Sequence, residues 1–290
     1  MTRVNTDTTL LKARSHAKKG EIIEAQKLYQ RILETFPKNI RAQKELALLN
    51  VINKKSQIYP PPQSKVNSII RLFRRGQISA VLKEAETFLK EYPDSAIVWN
   101  IYGVSAAKKR MLDKAIDAFK KCISFDPKYA EAYYNLGNTL HDLYRFDDAI
   151  EAFKKCIFLK PAYADAYYNM GIALQDQGNL DEALLAYKNC ILLNSNFVDG
   201  YVNLGNVLKS QGKLNEALKY FKKAILLKPD YDITYNNIGN ILRDQGKHTL
   251  AIKAFKKAIK INPDYAEAYN NMGSTFREEG KLIKAIKAFE

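Results

Sequence analysis

Hydrophobic positions along this chain follow a helical rhythm, and that rhythm recurs. Tyr133, Leu136, Gly137 and Leu140 fall at i, i+3, i+4 and i+7, which places them on one stripe of a helix, here called helix A. Phe146, Ala149, Ile150, Phe153, Cys156 and Ile157 mark a second stripe, helix B, and Pro161 stops it because proline cannot continue a helix interior. The pair then repeats: Gly103, Gly137, Gly171, Gly205, Gly239 and Gly273 are separated by a constant 34 residues. Trp99, Tyr133, Tyr167, Tyr201, Tyr235 and Tyr269 precede them by four residues, and Ala115, Ala149, Ala183, Ala217, Ala251 and Ala285 follow them by twelve. The aromatics Phe119, Phe153, Tyr187, Phe221, Phe255 and Phe289 come four residues later, and Pro93, Pro127, Pro161, Pro229 and Pro263 close the units, with Ser195 breaking the row.

A fixed period of this length predicts an all-α stacked array of helix-turn-helix units, whose usual task is to present a long surface. The small glycine in A and alanine in B let the axes approach, with the aromatic of B filling the next gap. Gly178, Gly212, Gly246 and Gly280 stand where helix A must end, a place for the left-handed conformation that glycine adopts cheaply. Arg110 and Tyr144 hold that place in earlier units, at a cost of about 1 kcal/mol each.

Running the register backward gives Gly76 with Pro93, and then Gly20, Ala25, Tyr29 and Pro37. Gly20 and Gly76 are 56 residues apart, which is 34 plus 22, and the excess predicts a lone helix from about Asn39 to Asn53. Pro60, Pro61 and Pro62 favour an extended break after it. The expected organisation is a helical module over 1–53, a proline-containing linker over 54–63 and a tandem array over 64–290 of about six and a half units. Glu290 falls midway through helix B of the last unit with no polar capping helix. This predicts a fragment of a longer protein, or a face covered by a partner.

The net charge is +15, and 47% of residues are hydrophobic, enough for a continuous core. Residues 1–20 lack the apolar run of a signal peptide, and no stretch of about 18 apolar residues predicts a membrane span. Three cysteines without pairing logic fit a reducing, cytoplasmic setting. Cys122, Cys156 and Cys190 occupy one phase of neighbouring units. Equivalent helices sit no closer than about 8–10 Å, which excludes a disulfide and a shared zinc and predicts three buried thiols.

The aromatic, leucine-glycine, alanine, phenylalanine, alanine and proline pattern resembles the tetratricopeptide repeat, over 64–290 in good register and over 7–37 more weakly. The segment Asp199-Gly200-Tyr201-Val202-Asn203-Leu204-Gly205-Asn206-Val207-Leu208 is similar to the arrays that precede the catalytic region of protein O-linked N-acetylglucosamine transferases. The resemblance implies a right-handed α-solenoid superhelix with the A helices on its concave side. It also implies a protein or peptide partner in extended conformation, and a possible catalytic domain beyond residue 290.

The A-helix face opposite the packing stripe carries five rows of residues at i, i+4, i+7 and i+11. They are Glu131, Asn135, Asn138 and Asp142; Asp165, Asn169, Ile172 and Asp176; Asp199, Asn203, Asn206 and Ser210; Ile233, Asn237, Asn240 and Asp244; Glu267, Asn271, Ser274 and Glu278. Asn135, Asn169, Asn203, Asn237 and Asn271 form a ladder of amides, each offering a donor and an acceptor to the backbone of an extended peptide. Asparagine costs up to about 0.7 kcal/mol against alanine in a helix, although duplication alone also explains a shared residue. The resemblance implies the same use, since asparagines at this motif position grip peptide backbone in the transferases.

Eight carboxylates and no lysine or arginine occupy the five rows, so the expected peptide is basic or hydroxyl-rich. The candidate peptide-binding residues are therefore Asn135, Asn138, Asn169, Asn203, Asn206, Asn237, Asn240 and Asn271, with Asp142, Asp176 and Asp244. Lys120, Lys121, Lys154, Lys155, Lys188, Lys222, Lys223, Lys256 and Lys257 form rows on helix B. Such rows can track nucleic-acid phosphates or an anionic membrane, but a solvated convex face is the favoured reading and nucleic acid is not expected. No catalytic set is expected, nor any metal or cofactor. Gly239 and Gly246 are separated by six residues where a phosphate loop needs four, and His16, His141 and His248 fall at unrelated phases. Two readings remain: a non-catalytic peptide-binding scaffold, and the substrate-recognition part of a larger transferase.

Overall fold

The computed structural model of the chain describes residues 6–18, 21–56 and 62–290. Among these the elements are helices throughout. They begin with α1 (Thr6–Lys18), α2 (Ile22–Thr35), α3 (Ile40–Ser56), α4 (Gln63–Arg74) and α5 (Ile78–Glu91). Six A helices follow: α6 (Ala96–Lys108), α8 (Ala130–Asp142), α10 (Ala164–Asp176), α12 (Val198–Ser210), α14 (Asp232–Asp244) and α16 (Ala266–Glu278). Between them lie the B helices α7 (Leu112–Phe125), α9 (Phe146–Leu159), α11 (Leu180–Leu193), α13 (Leu214–Leu227), α15 (His248–Ile261) and α17 (Leu282–Phe289). The chain divides into two compact units, residues 1–71 with 90–93 and residues 72–89 with 94–290.

In the first unit α1 packs on α2 and α2 on α3, around Leu10, Ala13, Ala25, Tyr29, Ile32, Ala42 and Leu49. Tyr29 donates its hydroxyl to the Glu45 carboxylate at 2.5 Å, and Arg14 Nε reaches both oxygens of that carboxylate at 3.0 and 3.1 Å. The guanidinium holds the Glu45 carboxyl below its ordinary range, while burial raises the Tyr29 phenol. Helix α3 continues through Ser56, into the segment expected to be linker, because no residue before Pro60 breaks a helix. Pro62 accepts from Lys65 N at 2.8 Å and so opens α4, since a proline at a helix start loses no hydrogen bond. Gly20, Pro60 and Pro61 lie outside the described residues.

In the second unit every complete pair has a 13-residue A helix and a 14-residue B helix. The A-helix glycines are required by what faces them. A Cβ on Gly137 would stand 2.7 Å from the Phe153 ring, and one on Gly205 2.6 Å from the Phe221 ring. Phe119, Phe153, Tyr187, Phe221 and Phe255 are therefore fully buried against bare backbone. Dispersion and burial of the ring stabilise the pair where any side chain on A would force it apart.

The turn glycines 178, 212, 246 and 280 all have positive φ, from 70° to 88°, as do Arg110 at 60° and Tyr144 at 58°. The following amide closes the turn, as with Asn179 N on Leu174 O at 2.8 Å and Arg145 N on Leu140 O at 2.9 Å. Gly246 thus belongs to a helix end and Gly239 lies beneath Phe255, so the segment between them is helix A of a repeat unit. Cys122, Cys156 and Cys190 are buried and free, and burial pushes their thiols up to about 12, 11 and 12.

Each B helix packs on its own A helix and on the next one, and A helices also meet each other directly: α6 with α8, α8 with α10, α12 with α14, and α14 with α16. The A helices form the inner rank of the solenoid and the B helices the outer one.

Candidate functional site

The ladder asparagines are half-buried on the inner rank, and each is bonded to the A helix before it. Asn135 Nδ2 donates to Asn100 Oδ1 at 3.0 Å, and Asn169 Nδ2 to both the Tyr134 hydroxyl at 3.0 Å and Asn138 Oδ1 at 2.8 Å. Asn203 Nδ2 donates to the Tyr168 hydroxyl at 3.1 Å, Asn237 Nδ2 to Asn206 Oδ1 at 2.9 Å, and Asn271 Nδ2 to Asn236 Oδ1 at 3.0 Å. This modifies the sequence expectation: one amide N–H of each asparagine, and two in Asn169, serve the scaffold, and the oxygen of each stays an acceptor it can offer. Among the described residues no hydrogen bond reaches Oδ1 of these five asparagines.

Asn138 and Asn206 are acceptors within the ladder. Asn240 differs, because its Oδ1 is buried without a hydrogen-bond partner. The ladder's own partners, Asn100, Tyr134, Tyr168 and Asn236, were missed in the sequence reading. They occupy one phase, the position after the motif aromatic, and a donor lies 35 residues on from each. A spacing of one period plus one was the available signal. Tyr134 is held between Phe153 and Tyr163, with ring centroids 6.1 and 5.0 Å away, and Tyr168 sits 4.8 Å from Phe197. Burial pushes the Tyr168 phenol up to about 12, so it stays a neutral acceptor and donor.

The carboxylates of the rows are less free than their sequence suggests. Asp142 pairs with Arg110 at 3.0 Å, Asp176 with His141 at 2.8 Å, and Asp244 lies 3.8 Å from Arg243. Glu131 pairs with Lys160 at 3.0 Å, and that hydrogen bond holds its carboxyl below the ordinary range. Asp199 accepts from the Tyr231 hydroxyl at 2.6 Å, Glu267 from Asn236 at 2.9 Å, and Glu278 lies 3.6 Å from His248. Counting acidic residues along the rows overstates the field of this face, because the cations come from neighbouring units and from turns. His141 and His248 accordingly have carboxylate partners and are half-buried.

The sequence matches the family description "TPR repeat" over residues 111–144, 139–178 and 239–280, and "Tetratricopeptide repeat" over 164–197 and 198–231. The array is built of tetratricopeptide repeats. Its tetratricopeptide segments are similar to the crystal structure of MamA, with 34% identity, 57% of this chain and 96% of that chain covered, and a TM-score of 0.54. Among curated proteins, the Saccharomyces cerevisiae "Essential for maintenance of the cell wall protein 1" is 29% identical over 124 residues, 43% of this chain. The Candida albicans "Peroxisomal targeting signal receptor" is 42% identical over 45 residues, 16% of this chain. The chain spans only 12% and 8% of the length of those two relatives. No helix among the described residues is long and apolar enough to cross a membrane.

Proposed function

We propose that this chain is a protein-interaction scaffold that holds an extended peptide along the A-helix face of α8, α10, α12, α14 and α16. The reading rests on the five asparagine oxygens, one per repeat, left as acceptors at equivalent positions of the inner rank. A peptide in extended form presents an N–H at regular intervals, and acceptors fixed on a rigid rank meet it with little ordering cost on the protein side. The carboxylates of Asp142, Asp176 and Asp244, beside their contacts with Arg110, His141 and Arg243, keep lone pairs that add acceptors at the helix ends, so the preferred segment is donor-rich: basic, or bearing hydroxyls. The receptor named among the relatives recognises a targeting signal by its printed name, which is consistent with a short segment as ligand.

The other reading, substrate recognition for an attached glycosyltransferase, has no observation of its own in favour, and none of the relatives reported above is named as a transferase. The test is capture on a peptide array by the wild-type chain and by the combined variant N169A/N203A/N237A. The scaffold reading predicts loss of capture with helicity kept by far-ultraviolet circular dichroism. Unchanged capture would reject the groove assignment.

A further inference from the structure

The outer rank carries a second surface that the peptide reading does not use. Phe158, Leu192 and Leu226 lie at one phase of three consecutive B helices, α9, α11 and α13, and are 80%, 81% and 76% exposed. Single exposed apolar side chains are ordinary, but here three recur at the same position of consecutive B helices. Leu185, 60% exposed, extends the apolar face of α11 two turns toward its N-terminus, since it precedes Leu192 by seven residues.

The lysine rows share this face. Phe158 follows Lys154 and Lys155 by four and three residues, Leu192 follows Lys188 by four, and Leu226 follows Lys222 and Lys223 by four and three. All five lysines are exposed. The acids of these helices, Asp147, Asp148, Glu151, Asp181, Glu182 and Glu216, all sit in the N-terminal halves of α9, α11 and α13, and Glu151 pairs with Lys154 at 3.2 Å. The C-terminal halves of α9, α11 and α13 therefore offer apolar tips beside Lys155, Lys188, Lys222 and Lys223, which form no ion pair among the described residues, while Lys154 is paired with Glu151.

We infer that this face is a docking surface for an anionic lipid bilayer, with the lysines at the headgroups and Phe158, Leu192 and Leu226 inserted at the acyl boundary. The charge selects the occupant. A second copy would set lysines against lysines in a protein of net charge +15. A nucleic acid would use the lysines but gains nothing from two aliphatic tips, which offer no stacking platform. Three projecting side chains on separate helices need matching pockets in a protein partner, whereas a fluid interface accepts them wherever they fall.

The experiment is co-sedimentation of the full chain with phosphatidylcholine vesicles containing or lacking phosphatidylserine. The chain should bind the anionic vesicles and be released by salt. F158S/L192S/L226S should weaken this by about tenfold or more, L185S/L192S should give an intermediate loss, and N169A/N203A/N237A should bind like the wild type. Circular dichroism checks the fold of each variant; the serine changes fall on exposed sites. Binding that survives the triple serine change would overturn the inference, as would equal binding to neutral vesicles. Capture of polyglutamate without vesicle binding, or self-association without it, would assign the face to an acidic protein or to a second copy and overturn it as well.

Discussion

At the scale of single residues, two kinds of glycine do different work, and substitution separates them. Gly205 lies under the Phe221 ring, where a methyl would stand at 2.6 Å. Gly205→Ala should lower stability by about 1–3 kcal/mol through overpacking, read as a lower urea midpoint. Gly178 has open space but φ of 88°, so Gly178→Ala should cost only the backbone strain, about 1 kcal/mol. Tyr144 is 82% exposed at φ 58°, and Tyr144→Gly should raise the midpoint.

The three thiols supply a test in pH. Their folded-state pKa values are raised to about 11–12, above the roughly 8.5 of an unfolded cysteine. Their contribution to stability is therefore full below about pH 8.5 and is lost as pH rises from there toward the folded values. A thiol reagent at pH 8 should find none reactive in the native chain and three after denaturation. Fast native labelling would contradict their burial.

At the scale of elements, the asparagine ladder is a fastener between helices as well as a candidate ligand surface. Asn203 Nδ2 donates to the Tyr168 hydroxyl, whereas Asn169 Nδ2 has both Tyr134 and Asn138. Tyr168→Phe should then cost about 0.5–1.5 kcal/mol, and Tyr134→Phe less, in paired denaturant curves. Equal effects would show that the bonds do not hold the repeats together.

Helix positions, turn glycines and buried cysteines were legible because each follows from one unit and a period. The tyrosine and asparagine partners were not, because a hydrogen bond between units depends on how far one helix A is shifted past the next. The same shift brings Arg110 to Asp142 and Lys160 to Glu131, which a row-by-row count of charge cannot show. Helix α3 runs to Ser56, three residues past the expected Asn53, since the sequence there holds no helix-breaking residue.

At the scale of the molecule, the tetratricopeptide array turns two ranks of helices toward different chemistry. The inner rank holds amide oxygens and partnered carboxylates, and the outer rank holds lysines with Phe158, Leu192 and Leu226. A scaffold of this kind can hold a peptide on one side while its other side meets a second surface. Its net charge of +15 resides largely in the outer rank and in residues 1–62, with twelve basic residues against five acidic in the latter. Each face can then be disabled without disturbing the other, so loss of peptide capture and loss of vesicle binding should sort onto different variants.

The most direct measurement is nuclear magnetic resonance of the side-chain amide groups during titration with an extended basic peptide captured on the array. The account predicts shifts of the Asn135, Asn169, Asn203, Asn237 and Asn271 amide signals, with helix-B lysine and Phe158 signals unmoved. Shifts confined to the B helices, with the ladder signals unchanged at saturation, would contradict it.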